Sequence, residues 1–183
     1  MKLRDYIQVL PALRKGDCKN LISIFEKDTD NHIRNENEVL NFTELNLNRS
    51  TESSPELITW LGHTAKKLAN DYFDQCPQGD RYIPKMYAFE EFRVKRYNKG
   101  DSFRPHVDVG DLNSSRRFLA FLFYLNDDFK GGGTQFSTPI DFYYNRPLQG
   151  NCLMFPPTWQ YPHEGMEITE GTKYIMSTYL HYV

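Results

Sequence analysis

A run of short, strand-like segments from residue 87 onward constrains the fold of this chain most. Segments rich in β-branched and aromatic residues alternate there with Gly and Pro at intervals of about ten residues. The candidate strands are 87–97, 117–125, 134–136, 151–155 and 173–183. Many short strands joined by loops of uneven length predict a β-sandwich or a jelly roll.

The first 85 residues predict helices that support this β region. Asp17 is followed by apolar residues at helical spacing, which predicts a capped amphipathic helix of about three turns. Ser54, Pro55 and Glu56 open a second helix. Residues 39–47 are a candidate for an earlier strand. We expect one domain over 1–183, mainly β with flanking α, in which 1–85 form a helical support region and 86–183 the core.

The charge balance argues against a general nucleic-acid binder. The chain has 22 Lys and Arg residues and 24 Asp and Glu residues, a net charge of −2. Proteins that bind the phosphate backbone usually carry a basic excess. The longest uncharged stretch, 147–163, is interrupted by prolines and polar residues and is shorter than the about 20 apolar residues of a membrane helix. We therefore expect neither a nucleic-acid partner nor a membrane span.

The cysteines and the first residues indicate a reducing compartment. The three cysteines fit neither a disulfide framework nor a CxxC metal clip, because they are far apart in the sequence. They are Cys18, Cys76 and Cys152, and we expect them to be reduced and buried. The first residues lack the apolar core of a secretory signal, so we expect a cytoplasmic protein.

His106 and Asp108 form the most informative pair of polar residues. In an extended segment, residues separated by one position point to the same side, with Cα atoms about 6.6 Å apart, so one metal ion could bind both. A third ligand must come from another strand, and His163 lies in a proline-flanked segment near a predicted strand end. Two imidazoles and one carboxylate leave open positions on a metal, as in non-haem Fe(II) oxygenases. The alternative is an exposed loop histidine beside an acid.

The last predicted strand begins at Lys173, shortly after a turn at Gly171. Alternation in a strand places Lys173 on one face with Ile175, Ser177, Tyr179 and His181. If this face points inward, the ammonium group needs an anion, because an unpaired buried charge loses its proton or destabilises the fold. A ligand carboxylate would supply a charge-assisted hydrogen bond of about 1.5–3 kcal/mol. The alternatives are that Lys173 reaches solvent or pairs with a carboxylate such as Asp141.

Several segments together resemble a known enzyme family. The matching segments are 97–108, 117–125, 132–134, 163–165 and 171–173. In them, a tyrosine lies nine residues before His106 and a lysine lies ten residues after His163. These segments resemble the 2-oxoglutarate and Fe(II)-dependent dioxygenases of the prolyl 4-hydroxylase type. The resemblance covers about residues 90–183 and implies a core of the double-stranded β-helix, or jelly-roll, type.

The resemblance implies a role for each matching residue. His106, Asp108 and His163 would bind Fe(II). Lys173 would hold the distal carboxylate of 2-oxoglutarate. The hydroxyl groups that would hydrogen-bond this co-substrate are those of Tyr97, Tyr124 and Thr134, with Ser177 as a weaker candidate. The residues that would contact the substrate are Arg117, which would also take part in catalysis, Tyr179 and His181.

Two positions depart from the family pattern. Many relatives have Tyr where this chain has Phe103, and often Trp where it has Tyr179. Both departures bear on the choice of substrate more than on the chemistry. Large side chains would also form a dry wall around the iron, and the candidates are Phe103, Leu122, Phe155 and Trp159.

The resemblance implies a hydroxylase that uses Fe(II), 2-oxoglutarate and O₂, with ascorbate as the reductant, and that forms succinate as it hydroxylates a C–H bond. The favoured substrate is a proline in a peptide or protein, and the alternatives are another amino acid or a small metabolite. A nucleic-acid demethylase is disfavoured by the lysine at position 173, where that group usually has arginine. From a different class, a non-catalytic jelly-roll module could hold structural Zn²⁺, but the sequence offers no nearby cysteine as a fourth ligand.

Overall fold

The computed structural model describes residues 2–77 and 79–183. The helices are α1 (Lys15–Lys27), α2 (Pro55–Gln75) and the short α3 (Gly79–Tyr82), with 3₁₀ turns at Leu3–Asp5 and Thr29–Asn31. The strands are β1 (Gln8–Pro11), β2 (Ile33–Glu36), β3 (Asn41–Asn46), β4 (Tyr87–Phe89), β5 (Arg93–Tyr97), β6 (Phe103–His106), β7 (Arg117–Tyr124), β8 (Lys130–Gly131), β9 (Thr134–Ser137), β10 (Phe142–Asn145), β11 (Asn151–Phe155), β12 (His163–Gly165), β13 (Ile168–Glu170) and β14 (Lys173–Tyr182).

The main sheet is built around β14. Its strands follow the order β1, β11, β7, β14, β5, β3 and β2, and β4 also pairs with β14. Aromatic and β-branched residues are frequent in β7 and β14, which suits strands that are buried for most of their length. The alternation predicted for the last strand is confirmed, because Ile175 and Tyr179 face an inner cluster while Met176 and Leu180 face an outer one.

A smaller sheet faces the main sheet. Its strands follow the order β10, β9, β12 and β6, and β8 pairs with β13 in a separate ribbon. Apolar side chains of both sheets form the inner cluster, which includes Ala120, Tyr124, Phe136, Leu153 and Phe155. Two antiparallel sheets around one core form the jelly-roll arrangement. The prediction of a mainly β fold with flanking helices is therefore confirmed.

The helices cover the outer face of the main sheet. Phe25 of α1 and Leu61 of α2 are buried in the outer cluster with Phe121 of β7. Each such side chain contributes about 1.5–3 kcal/mol through the hydrophobic effect. The start of α2 is as predicted: Ser54 Oγ accepts a hydrogen bond from the Leu57 N–H at 3.2 Å, and a proline follows the cap.

The structure differs from the prediction at three places in the first half of the chain. The N-cap residue of α1 is Arg14 and not Asp17; Asp17 lies in the first turn, and its carboxylate accepts a hydrogen bond from the Arg14 N–H at 3.0 Å, as in a capping box. The strands β1 and β2, which were not predicted, join the main sheet, whereas β3 confirms the candidate strand 39–47. Residues 90–92 interrupt the predicted strand 87–97 and divide it into β4 and β5.

Among the described residues, the helices lack the combination of length and apolarity that a bilayer crossing requires.

Candidate active site

Three potential metal ligands converge at one end of the smaller sheet. His106 ends β6, His163 begins β12, and the two residues are Cα partners in this antiparallel pair. Asp108 follows β6 by two residues, and one ligand atom from each of the three residues lies within 4.8 Å of the others. The Nε2 atoms of His106 and His163 lie 3.5 Å from Oδ1 and Oδ2 of Asp108, respectively. The structure thus brings together the three residues that the sequence singles out.

Backbone carbonyls fix the tautomer that each imidazole ring adopts when it is neutral. Nδ1 of His106 lies 2.7 Å from the Arg104 carbonyl, and Nδ1 of His163 lies 3.0 Å from the Tyr161 carbonyl. Since a carbonyl oxygen only accepts hydrogen bonds, each Nδ1 carries the proton and donates it. In the neutral ring, Nε2 then carries the lone pair on the side of Asp108, where a metal ion would accept it.

The charges around Asp108 suit a bound cation. Its side chain is 8% exposed, and Oδ2 has no hydrogen-bond partner among the described residues. Burial disfavours the ionised form, but positive charge on the His163 and His106 rings, with that of Lys95, outweighs it and lowers the pKa of Asp108 to about 2, so the carboxylate is ionised when a cation lies beside it. A buried carboxylate oxygen without a partner, facing two imidazole lone pairs, is a donor set that fits Fe(II).

Aromatic rings hold the ligands in place. The Phe103 ring stacks on His106 with a centroid distance of 3.5 Å, and the Phe155 ring meets His163 edge-on at 4.7 Å. Burial lowers the pKa of His163, which favours its neutral, metal-binding form. Phe103 and Leu122 line the cavity as predicted for a dry wall. Trp159 does not, because it is 76% exposed and lines a different groove.

Lys173 lies in the same cavity as the three ligands. It is a Cα partner of Tyr97, it is buried, and its Nζ donates a hydrogen bond to the Gly132 carbonyl at 2.6 Å. Burial lowers the pKa of Lys173 to about 7, since no carboxylate among the described residues offsets it. Asp141 is not its partner, because the Asp141 carboxylate accepts a hydrogen bond from the Leu3 N–H. The lysine therefore offers a buried donor that suits the carboxylate of a ligand.

A chain of hydrogen bonds extends behind the cavity wall. Tyr97 and Thr134 line the cavity, whereas Tyr124 lies behind Thr134. Asn145 Nδ2 donates to the Tyr124 oxygen at 3.0 Å, and the Tyr124 and Thr134 hydroxyls are 2.8 Å apart. When Tyr124 donates to Thr134, the Thr134 hydroxyl proton can point to a ligand. Asn145 was missed in the sequence because no strand was predicted at 142–145.

Arg117 lies at the mouth of the cavity, a more open depression that shares Lys95, His106, Asp108 and Tyr179 with the cavity itself. Protein groups hold the Arg117 guanidinium there. Its Nε and one terminal nitrogen donate to the two carboxylate oxygens of Glu90, at 2.6 and 2.8 Å. The other terminal nitrogen donates to the Asp108 carbonyl at 3.1 Å, and the guanidinium lies 4.0 Å from the centre of the Tyr179 ring. Arg117 thus orients the segment that carries Asp108, and Glu90 is a supporting residue that the sequence reasoning missed.

The remaining candidates lie at different depths. Tyr179 lines both the metal cavity and its mouth, and Ser177 lines the mouth. His181 lines a neighbouring depression with Arg116, and its Nδ1 lies 3.0 Å from the Tyr182 carbonyl. Lys95, which the sequence reasoning also missed, lines the cavity and the mouth. Alternation back from Tyr97 along β5 was the signal that could have found it.

Known proteins share this region of the sequence. Residues 92–181 match the family model of the 2OG-Fe(II) oxygenase superfamily. Over 100 residues, 54% of the chain, the sequence is 32% identical to the multifunctional procollagen lysine hydroxylase and glycosyltransferase of Rattus norvegicus and to that of Homo sapiens. The chain covers 13% of the length of these relatives.

Solved structures share the fold over nearly the whole chain. The viral collagen prolyl hydroxylase of Paramecium bursaria Chlorella virus-1, solved with 2OG, superposes with a TM-score of 0.70 at 20% identity and covers 97% of both chains. A prolyl-4-hydroxylase of Pseudomonas putida superposes with a TM-score of 0.76 at 14% identity, over 99% of this chain and 95% of its own. At these identities the likeness concerns the fold.

Proposed function

Because this chain belongs to the 2OG-Fe(II) oxygenase superfamily, we propose that it is a prolyl 4-hydroxylase that acts on a peptide or protein. In the balanced reaction, 2-oxoglutarate, O₂ and a C–H bond give succinate, CO₂ and a C–OH group. One oxygen atom of O₂ enters the new hydroxyl and the other enters succinate. The observation that carries the proposal is the convergence of His106, Asp108 and His163 in one cavity with Lys173.

Each part of the cavity has a task in this reaction. The iron, when bound, would supply the redox chemistry that activates O₂. His106, Asp108 and His163 would hold it through three positions and leave the others open. Lys173 and the Thr134 hydroxyl would bind and orient 2-oxoglutarate. Phe103 would exclude water beside the metal.

The charges at the mouth favour proline over lysine as the residue hydroxylated. Arg93, Lys95 and Arg117 line the mouth together with the carboxylates of Glu44 and Asp108. The ammonium group of Lys95 has one carboxylate within 4.0 Å among the described residues, that of Glu44, and it opposes the approach of a lysine ammonium group but not that of a neutral pyrrolidine ring. Lysine hydroxylation is the second candidate, because the curated relatives that match are procollagen lysine hydroxylases.

The experiment measures succinate with fresh Fe(II), 2-oxoglutarate and ascorbate, which we propose as the reductant. Blocked peptides that differ only in one position, Pro or Lys, are compared, and a mass increase of one oxygen identifies the product. We expect oxygen on the proline peptide and loss of succinate formation in Asp108→Ala. Oxygen on the lysine peptide alone would favour the second candidate. Absence of succinate under all conditions would contradict the proposal.

We also propose a domain organisation and a location for the chain. We propose that the chain is one domain, since β3 of the N-terminal half and β14 of the C-terminal half belong to one sheet. We propose a cytoplasmic location, because the three cysteines are free and buried, as is usual where thiols are kept reduced.

A further inference from the structure

Lys95 occupies a special place between the metal cavity and its mouth. It lies in the middle of β5, with Ile175 and Glu44 as its Cα partners on the two neighbouring strands. It shares a strand face with Tyr97, and its side chain lines both the cavity that contains the metal ligands and the mouth that contains Tyr179. A group that occupies both the mouth and the cavity therefore lies beside Lys95.

The described residues place no carboxylate within hydrogen-bond distance of the Lys95 ammonium group. Its side chain is 11% exposed. Among the described residues, the one carboxylate within 4.0 Å of Lys95 Nζ is that of Glu44. The distance between Nζ and Glu44 Oε2 is 4.0 Å, which is too long for a hydrogen bond. Glu44 also faces Arg93 at 3.6 Å, so it is shared between two cations. Burial lowers the pKa of Lys95 even though Glu44 and Asp108 oppose the shift.

The other cations near the metal have hydrogen-bond partners, whereas Lys95 has none among the described residues and lies over the Phe42 ring at 5.0 Å. Arg117 is held by both oxygens of Glu90, and Lys173 donates to the Gly132 carbonyl. Lys95 and Lys173 are also separated along the sheet. Lys95 lies opposite Ile175, which is two residues beyond Lys173 on β14, a distance of about 6.6 Å along the strand. An anion bound by Lys95 therefore lies nearer the mouth than a carboxylate bound by Lys173.

We propose that Lys95 binds a carboxylate of the substrate and so selects substrates with a negative charge beside the carbon that is hydroxylated. The inference rests on the proposed hydroxylase function. An ammonium group has three N–H donors, and one of them can form a charge-assisted hydrogen bond of about 2.7–2.9 Å with a carboxylate; the Glu44 carboxylate, at 4.0 Å, is too distant to accept it. The carboxylate has two sources: the α-carboxylate of a proline at a chain end or free in solution, and an acidic side chain next to a proline inside a peptide.

The test measures binding to the protein loaded with Fe(II) and 2-oxoglutarate without oxygen. One pair of probes is N-acetyl-proline and N-acetyl-prolinamide. The other pair is two end-blocked peptides with Glu or Gln before the proline. We expect one carboxylate probe to bind at least tenfold more tightly than its amide. In Lys95→Met the preference falls below twofold, whereas Lys95→Arg keeps it. The pair that shows the preference identifies the source of the carboxylate.

Controls separate this inference from a general loss of function. Lys99→Met, an exposed lysine in the turn after β5, should keep the preference. Thermal unfolding checks that Lys95→Met folds, and binding of 2-oxoglutarate to this variant should change less than twofold. The inference is overturned if neither pair shows a preference, if Lys95→Met keeps it, or if 2-oxoglutarate binding falls tenfold instead. Failure of the wild-type protein to form succinate would count against the proposed function, whatever the probes show.

Discussion

Replacing Lys173 with methionine should stabilise the ligand-free protein and weaken its binding of 2-oxoglutarate. Burial lowers the pKa of Lys173 from 10.5 to about 7. At 1.36 kcal/mol per pH unit, charging this group inside the fold costs about 5 kcal/mol. Methionine is similar in length and has no charge, but it leaves the Gly132 carbonyl without its donor, a loss of about 1–3 kcal/mol. At pH 6, the free energy of unfolding of Lys173→Met should therefore exceed that of the wild type by about 2–4 kcal/mol.

The sign of the pH dependence follows from the two pKa values. Between about pH 7 and 10.5, the unfolded chain holds the Lys173 proton and the folded chain releases it. The free energy of unfolding of the wild type therefore rises with pH across this window, while the full cost is present below about pH 7. The difference in the free energy of unfolding between Lys173→Met and the wild type should therefore shrink by about 3 kcal/mol from pH 6 to pH 9.

Denaturant unfolding at both pH values, without metal or 2-oxoglutarate, measures this difference. Lys67→Met, on the exposed side of α2, is the matched control and should show no such change with pH. Binding of 2-oxoglutarate to the Fe(II)-loaded protein should weaken by about 10–100-fold in Lys173→Met, the value of one charge-assisted hydrogen bond. A variant less stable than wild type at pH 6, or an advantage independent of pH, would refute the reasoning.

Three other substitutions test separate parts of the structure. Ser54→Ala removes the cap of α2 and should cost about 1 kcal/mol, or a fall in Tm of about 2–4 °C, without changing 2-oxoglutarate binding. Gly132→Ala should cost about 2 kcal/mol or more and weaken 2-oxoglutarate binding, because φ is +65° and the new Cβ would lie 3.2 Å from Lys173 Cδ; unchanged binding would contradict this. Glu90→Gln releases Arg117 and should cost about 1–3 kcal/mol in urea unfolding; unchanged stability would show that the pair is dispensable.

The sequence predicts the site best where strand alternation and ligand chemistry act together. Lys173 and Tyr179 fall on the inner face because a strand has a period of two, so one inward residue determines the others. The convergence of His106 and His163 depends on pairing between β6 and β12. The residue types alone indicate one common metal ion. The register of the two strands then brings the His106 and His163 rings close together.

The parts that the sequence did not predict depend on pairing between distant segments. β1 and β2 have four residues each and no clear alternation, so they form strands because β11 and β3 pair with them. Asn145 enters the site because β10 pairs with β9 and places Asn145 opposite Thr134. Trp159 was wrongly expected in the cavity wall, because an aromatic side chain in a loop carries no signal of its direction.

The most direct test is an anaerobic titration of the protein with Fe(II) followed by 2-oxoglutarate, observed by visible absorption. If His106, Asp108 and His163 hold one iron beside Lys173, a weak charge-transfer band should appear only after both additions, with one equivalent of each, and it should be absent in Asp108→Ala. A band of equal strength in that variant, or no band in the wild-type protein, would contradict a shared site for iron and 2-oxoglutarate.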